Sequence, residues 1–366
     1  MATNISQDVA LVASSEKLRP KVFIINHFKH EAEIWHPIPE RLNLKTCLIN
    51  VPGLWTDYPH VYSTENGEVC QVITGEGLIN AALTISALVA SPLFDLTHTY
   101  FLIAGVAGIN PKRGTVGSVV LSRYAVQVDL QYEFDAREIP EGWKTGYVPQ
   151  GTNNPNEFPK FIYGTEVFEL NNNLRQLAKE FAQRAALSDS EAAQAFRGRY
   201  SGSDKNAFEP ATQSPSIIEG DVLSANVFFH GHLLCEAFED TCRSFTNSKA
   251  EYFATAQEDN GTLAALLRGA VMKKVDFSRV IILRTGCNFD RPPPTGEFPT
   301  MPLHSSHGGF EIAVTNLYRT GIEIIEGILS GWQEIFEGGV PPDNYVGDIL
   351  GQLGGRPDFV PQEHAA

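Results

Sequence analysis

Five places along the chain set polar or glycine-rich residues directly behind apolar runs. Asn26-His27 follows KVFII, Thr74-Gly75-Glu76-Gly77 follows CQVI, and Gly105-Val106-Ala107-Gly108 follows YFLIA. Glu258-Asp259-Asn260 follows YFATAQ, and Cys287-Asn288 follows RVIILRTG. Amides and carboxylates supply hydrogen-bonding groups of both senses. Glycines let a backbone come close to a ligand. Each segment alone is a common strand-to-helix corner; their recurrence in order points to one small-molecule site at the carboxyl ends of strands. Other chemistries are excluded by what is missing. GVAG lacks the third glycine and the following acid of a dinucleotide fingerprint, so no nicotinamide cofactor is expected. No GxSxG elbow occurs. His27, His30 and His36 have no clear carboxylate partner at metal-ligand spacing, so no metal is expected.

The elements that must position these residues read as alternating strands and helices. Strands are expected at Lys21–Ile25, Leu44–Val51, Glu68–Ile73, Tyr100–Ala104, Gly117–Ser122, Ser216–Val222, Glu251–Thr255 and Arg279–Arg284. Leu78, Ala81, Ala82 and Ile85 form one helical stripe, Leu263, Leu266, Leu267 and Val271 another, and Phe310–Trp332 a long helix. This alternation implies a three-layer α/β/α domain with a central mixed, largely parallel sheet. Residues 20–338 are read as that single domain, with an insertion at about 135–215 too poor in apolar residues for its own core. Residues 1–19 read as a flexible tail and 339–366 as an extended one.

With 43% hydrophobic and 19% charged residues the chain has the balance of a globular protein. Its net charge of −15 opposes binding to a nucleic-acid backbone but not to a neutral small molecule. No apolar run is long enough to span a bilayer, so a soluble protein is expected, cytoplasmic or secreted after loss of a leader. The five cysteines form no CxxC pair and are expected to be mostly reduced.

Taken together, INHFKHEAEIW, TGEGLINAA, FLIAGVAGINPKRGTVGSVV, EDNGTLAAL and ILRTGCNFDRPP resemble the purine nucleoside permease family of fungi. That family in turn resembles the nucleoside phosphorylase and nucleosidase superfamily. The resemblance implies a nucleoside ligand and a homo-oligomer. It places Asn26 at the site, Thr74, Gly75 and Gly77 near the ribose, Ala107 and Gly108 beside base and sugar, and Leu223 and Ser224 at the base. Glu258, Asp259 and Asn260 map to the ribose-hydroxyl motif, with Asn260 where superfamily nucleosidases carry Glu. Asn288 falls where those enzymes often carry the acid that protonates N7. An amide cannot be that acid, although it can hydrogen-bond N7 and O6; Asp290 is the candidate substitute acid.

The resemblance also bears on the attacking group. Ile103 and Val106 stand where hexameric phosphorylases carry phosphate-binding Arg and Ser or Thr. Glu31 and Arg284 match the water-activating carboxylate of the nucleosidases and the arginine that holds it, which implies an ionised Glu31. Hydrolysis of a purine nucleoside is therefore the expected activity. Phosphorolysis, or nucleoside binding without cleavage as part of uptake, are the alternatives.

Overall fold

The computed structural model describes residues 17–36, 40–201, 207–293 and 308–361. Among the described residues fifteen strands form, in chain order, at β1 Val22–Asn26, β2 Cys47–Asn50, β3 His60–Ser63, β4 Val69–Ile73, β5 Tyr100–Ile109, β6 Val119–Ser122, β7 Tyr124–Gln127, β8 Tyr132–Glu133, β9 Tyr147–Val148, β10 Val167–Glu169, β11 Ile217–Glu219, β12 Asp221–Ser224, β13 Tyr252–Ala256, β14 Val280–Phe289 and β15 Gly347–Asp348. The α-helices are α1 Lys29–Glu33, α2 Leu78–Ala90, α3 Asn172–Ala182, α4 Glu191–Arg197, α5 Glu209–Thr212, α6 His232–Phe245, α7 Asp259–Val271 and α8 Gly309–Ser330.

Thirteen strands join in one sheet, ordered β15-β10-β7-β12-β13-β5-β1-β4-β3-β2, with β14 and then β6 and β11 added through β5. Pairing is parallel through β4-β1-β5-β14 and through β7-β12-β13. It is antiparallel toward the β15 and β2 edges, where β13 meets β5 and where β14 meets β6, while β11 at the third edge pairs β6 in parallel. The sheet therefore forks at β5. β14 follows one edge of β5 from Phe101 to Ile109, while β1 takes the first half of the other edge and β13 its last two residues.

Alternation along β1 shows why the sheet is covered on both faces. Phe23 and Ile25 enter one core with Ile85 and Leu88 of α2 and Leu263 and Leu266 of α7. Val22 and Ile24 enter a second with Leu317, Ile324 and Ile328 of α8 and Leu174 of α3. Residues from α6 pack on β7, β12 and β13 in a third. This is the three-layer α/β/α arrangement expected from the sequence.

Four boundaries differ from expectation. GVAG does not end its strand, because β5 runs on to Ile109, and the last strong strand likewise runs through Cys287 and Asn288 to Phe289. The insertion is not wholly outside the sheet: Val167–Glu169 pairs with β7 on one side and β15 on the other. The segment after residue 338 is not simply an extended tail. Gly347–Asp348 is a sheet strand, and Phe359 is fully buried against Tyr124 at 5.8 Å between ring centroids.

Candidate active site

The site gathers where β1, β4, β5, β13 and β14 end or cross. The apolar run of β1 delivers Asn26 and His27 into the interior, and the short helix α1 returns Glu31 toward them, fully buried. Glu31 is held by two backbone donors: His27 N–H to Oε2 at 2.8 Å and Val106 N–H to Oε1 at 2.6 Å. Those donors favour its ionised form, but burial outweighs them and pushes its pKa up to about 8. The Glu258 charge adds to the rise and the Arg284 charge opposes it. The carboxyl is thus mainly protonated at neutral pH, which corrects the expectation of an ionised Glu31.

Arg284, on β14, is the cation beneath this carboxyl. It does not make the expected hydrogen bond to Glu31. Its fork instead takes Asp259, with Nε to Oδ2 at 3.2 Å and Nη2 to Oδ1 at 2.6 Å, and Nη2 also reaches Glu258 Oε2 at 3.3 Å. A bidentate carboxylate matches the planar guanidinium better than a single lateral contact does. Burial works against the Arg284 charge, but Asp259 and Glu258 outweigh it and raise its pKa. Burial also raises Glu258, with Arg284 opposing and Asp259 reinforcing. Glu31 and Arg284 still converge on one spot. A Cβ on Gly105 would lie 2.3 Å from Arg284 Nη1 and 2.7 Å from Glu31 Oε1, so only glycine leaves room for both.

His27 completes this cluster. Arg284 Nη2 lies 3.1 Å from His27 Nε2, and a guanidinium can only donate. Nε2 is therefore the acceptor, and Nδ1–H donates to Thr74 Oγ1 at 2.9 Å. Burial, then the Arg284 charge, holds the His27 pKa well below the ordinary value, so the ring is neutral. Of the other two histidines in this stretch, His36 Nε2 bonds Gln71 at 2.9 Å and His30 is exposed.

A second group of residues forms the accessible floor. Val106, Thr255, Cys287 and Asn288 are each partly exposed amid buried neighbours. Asn288 lies opposite Gly108 across a register shift, and Gly108 N–H donates to Thr255 Oγ1 at 3.1 Å. Cys287 Sγ donates to Asn288 Oδ1 at 3.2 Å. Burial first, then the Glu31 charge, pushes this thiol up to about 12, so Cys287 links the Glu31 end of the site to the Asn288 end. Ala107 runs beside them in β5.

Several expected contacts turn inward instead. Asn26 bridges strands, donating to Ala104 O at 2.6 Å and accepting from Gln71 at 2.7 Å. Thr74 Oγ1 donates to Gly75 O. Gly75 and Gly77 have φ of 80° and 87°, and the first lies against the Trp55 ring. Asn260 donates to Thr165 O at 2.7 Å, in the seam between α7 and β10. Leu223 is wholly buried in the α6 core, and Ser224 Oγ accepts from Asn260 N. Asp290 is no free acid. Both its oxygens are bonded to Arg291, at 2.8 and 2.9 Å, and Tyr252 O–H also donates to it.

In the sequence His27 stands out only as part of the Asn26-His27 strand end, and Asn226 not at all. Asn226 Oδ1 accepts from Leu78 N at 3.0 Å, while Glu258 Oε1 accepts from Gly77 N at 3.2 Å. These two side chains satisfy donors at the start of α2 and tie it to the site. Val227 and Phe228 follow at 50% and 41% exposure, an apolar rim beside the polar floor. The signal was present in SANVFF, a polar turn and then apolar residues behind a buried strand. The surface hollows lined by Thr97, Ala270 and Phe277 and by Asn156, Arg243 and Asn247 contain none of these residues.

The purine nucleoside permease (NUP) family matches residues 19–341. The chain belongs to this family. A Candida albicans (strain SC5314) protein named purine nucleoside permease is 40% identical over 348 residues, covering 93% of this chain and 83% of its own. A Schizosaccharomyces pombe protein named as a probable purine nucleoside permease is 35% identical over 340 residues, covering 91% and 95%. Among solved structures, a 5′-methylthioadenosine/S-adenosylhomocysteine nucleosidase from Neisseria meningitidis is similar at 17% identity and a TM-score of 0.47, covering 84% of this chain and 99% of its own. Futalosine hydrolase of Helicobacter pylori is similar at 16% identity and a TM-score of 0.49, covering 85% and 97%. Although the family carries the name permease, no described helix is long and apolar enough to cross a membrane.

Proposed function

We propose that this protein is a purine nucleosidase that breaks the N-glycosidic bond with water. The observation that carries the reading is the Glu31 carboxyl, buried, held by His27 N–H and Val106 N–H, and brought to a pKa of about 8. A base poised near the working pH is effective, because it is both available and strong enough to take a proton from water. In this reading Glu31 orients and deprotonates the water, and Arg284 with Asp259 and Glu258 fixes the floor beneath it. Asn288 hydrogen-bonds the departing base, and Thr255 and the β5 backbone lie alongside.

The same geometry speaks against phosphate. Ile103 is fully buried in the apolar core. The Val106 N–H is already occupied by Glu31, and Arg284 is engaged by Asp259 and Glu258. A phosphate dianion entering here would meet three acidic side chains around one neutralised guanidinium, an unfavourable exchange in a buried site. A panel of inosine, guanosine and adenosine, with release of free base followed for the wild type and Glu31→Gln, tests the reading. Cleavage abolished by the substitution is the expected result.

A second reading is nucleoside binding without cleavage in uptake. It is favoured by the names of the relatives and by Asn288, whose amide has no acidic proton to transfer to a leaving base. Tight nucleoside binding with no turnover over a wide range of protein concentration is its expected outcome.

A further inference from the structure

Past the end of β14 the chain holds donor groups that the site described so far does not use. Arg291 is fully buried. Its Nε and Nη2 edge is taken by Asp290, while Nη1 is buried without a hydrogen-bond partner. In a planar guanidinium Nη1 points away from the edge that grips the carboxylate. The Asp290 carbonyl accepts from Gly231 N at 3.0 Å and from Cys235 Sγ at 3.2 Å, which holds the Asp290–Arg291 pair against the first turn of α6. α6 begins at Gly231 with φ of 121° and no side-chain cap, so its first amides add further donor character. Both ring nitrogens of His230 are buried without partners. His230 stands close to Asn288, because the Phe289 carbonyl that accepts from Asn288 Nδ2 at 3.3 Å also faces the His230 ring as an acceptor, which turns one ring N–H toward it and leaves the other nitrogen to accept.

Two unpaired buried polar groups next to the residue assigned to the base imply a ligand that pairs them. Arg291 Nη1 can only donate, whereas a neutral imidazole offers one donor and one acceptor. Burial is the first cause that lowers the His230 pKa, which keeps the ring neutral. A 6-oxopurine presents a carbonyl O6 beside an N1–H donor. A 6-aminopurine presents the reverse, an amino donor beside an N1 acceptor, and its amino group would face the Arg291 donor with nothing to accept it.

We propose that Arg291 and His230 form the base-edge subsite, with Arg291 Nη1 donating to O6 and His230 accepting from N1–H, so that the protein selects 6-oxopurines over 6-aminopurines. The inference rests on the reading of the site as one for purine nucleosides, and it adds which purines. A site built to hydrogen-bond a polar group rejects the analogue that cannot match it.

The test is equilibrium binding of hypoxanthine and of adenine to the full chain by calorimetry, alongside kcat/KM for inosine and adenosine. The variants are His230→Ala and Arg291→Lys. The wild type is expected to favour hypoxanthine at least about tenfold. His230→Ala gives up no more than the loose approach of the ring to the Phe289 carbonyl, and so keeps the test decisive if Arg291→Lys fails to fold. That variant should lose most of the preference by weakening hypoxanthine binding, with adenine binding nearly unchanged. Equal affinity for the two bases in the wild type, or equal losses for both in His230→Ala, overturns the proposal. Binding needs no turnover: a hypoxanthine preference without cleavage of any nucleoside would sink the nucleosidase reading and leave this one standing.

Discussion

Two buried arginines lie close together in sequence, Arg284 within β14 and Arg291 just after it, and their surroundings differ in kind. Arg291 is bound by its chain neighbour Asp290, one cation to one carboxylate, closed by Tyr252. Arg284 is shared among acids from distant segments: Asp259 and Glu258 bond it, and Glu31 lies above it without a bond. The first pair balances its charge locally. The second leaves more acid than one guanidinium can neutralise, and burial of the unbonded Glu31 raises its pKa. A buried ion pair alone is therefore a poor marker of function. The surplus carboxyl, assembled across the fold, is the better one.

The comparison can be broken at its extremes. Glu31→Gln keeps the shape of the surplus carboxyl and removes its base, so kcat/KM should fall by about 10³. Relative to the wild type, the variant should gain stability between about pH 5 and neutral pH, because the wild-type carboxyl must take up a proton to fold there and the amide need not. At the balanced pair, Asp290→Asn strands the Arg291 charge and should cost about 3–5 kcal/mol in urea unfolding. Cleavage of adenosine by the folded variant should stay within about tenfold of wild type, whereas loss of a general acid would remove about 10²–10⁴.

Smaller effects sharpen the same contrast. Gly105→Ala inserts a methyl group between Arg284 Nη1 and Glu31 Oε1. Moving those groups should lower kcat by about 10². The pH profile should carry the signature of the surplus acid. If Glu31 acts ionised, kcat/KM of the wild type rises with pH by about tenfold per unit and levels near the pKa of about 8. The stability contribution runs the opposite way. A carboxyl whose pKa is raised on folding contributes fully below its unfolded value, and that contribution is lost as pH rises through about 8. Denaturant midpoints of wild type against Glu31→Gln between about pH 5 and 8 check the sign.

The sequence revealed the layers and the strand ends because each rests on local contrast: VFII before Asn26, YFLIA before Gly105, VIIL before Arg284. It did not reveal that β5 and β14 continue through their glycines. Gly105 is small because Arg284 and Glu31 press on it, a long-range cause that looks locally like a turn. Nor did it fix which residue of Glu258-Asp259-Asn260 faces the site. Neighbours on a helix point about 100° apart, and the phase of α7 sends Asp259 to Arg284 and Asn260 to Thr165. The β15 strand was illegible because two residues carry no periodicity. Asp290 looked like a free acid until Arg291 and Tyr252 were seen to occupy it.

The account turns on which nucleophile the Glu31 cluster serves. Inosine incubated with the protein in excess inorganic phosphate, with the sugar product identified by chromatography and mass, tests this most directly. The account predicts free ribose at a rate unaffected by phosphate and lost in Glu31→Gln. Ribose 1-phosphate, formed in proportion to added phosphate, would contradict it.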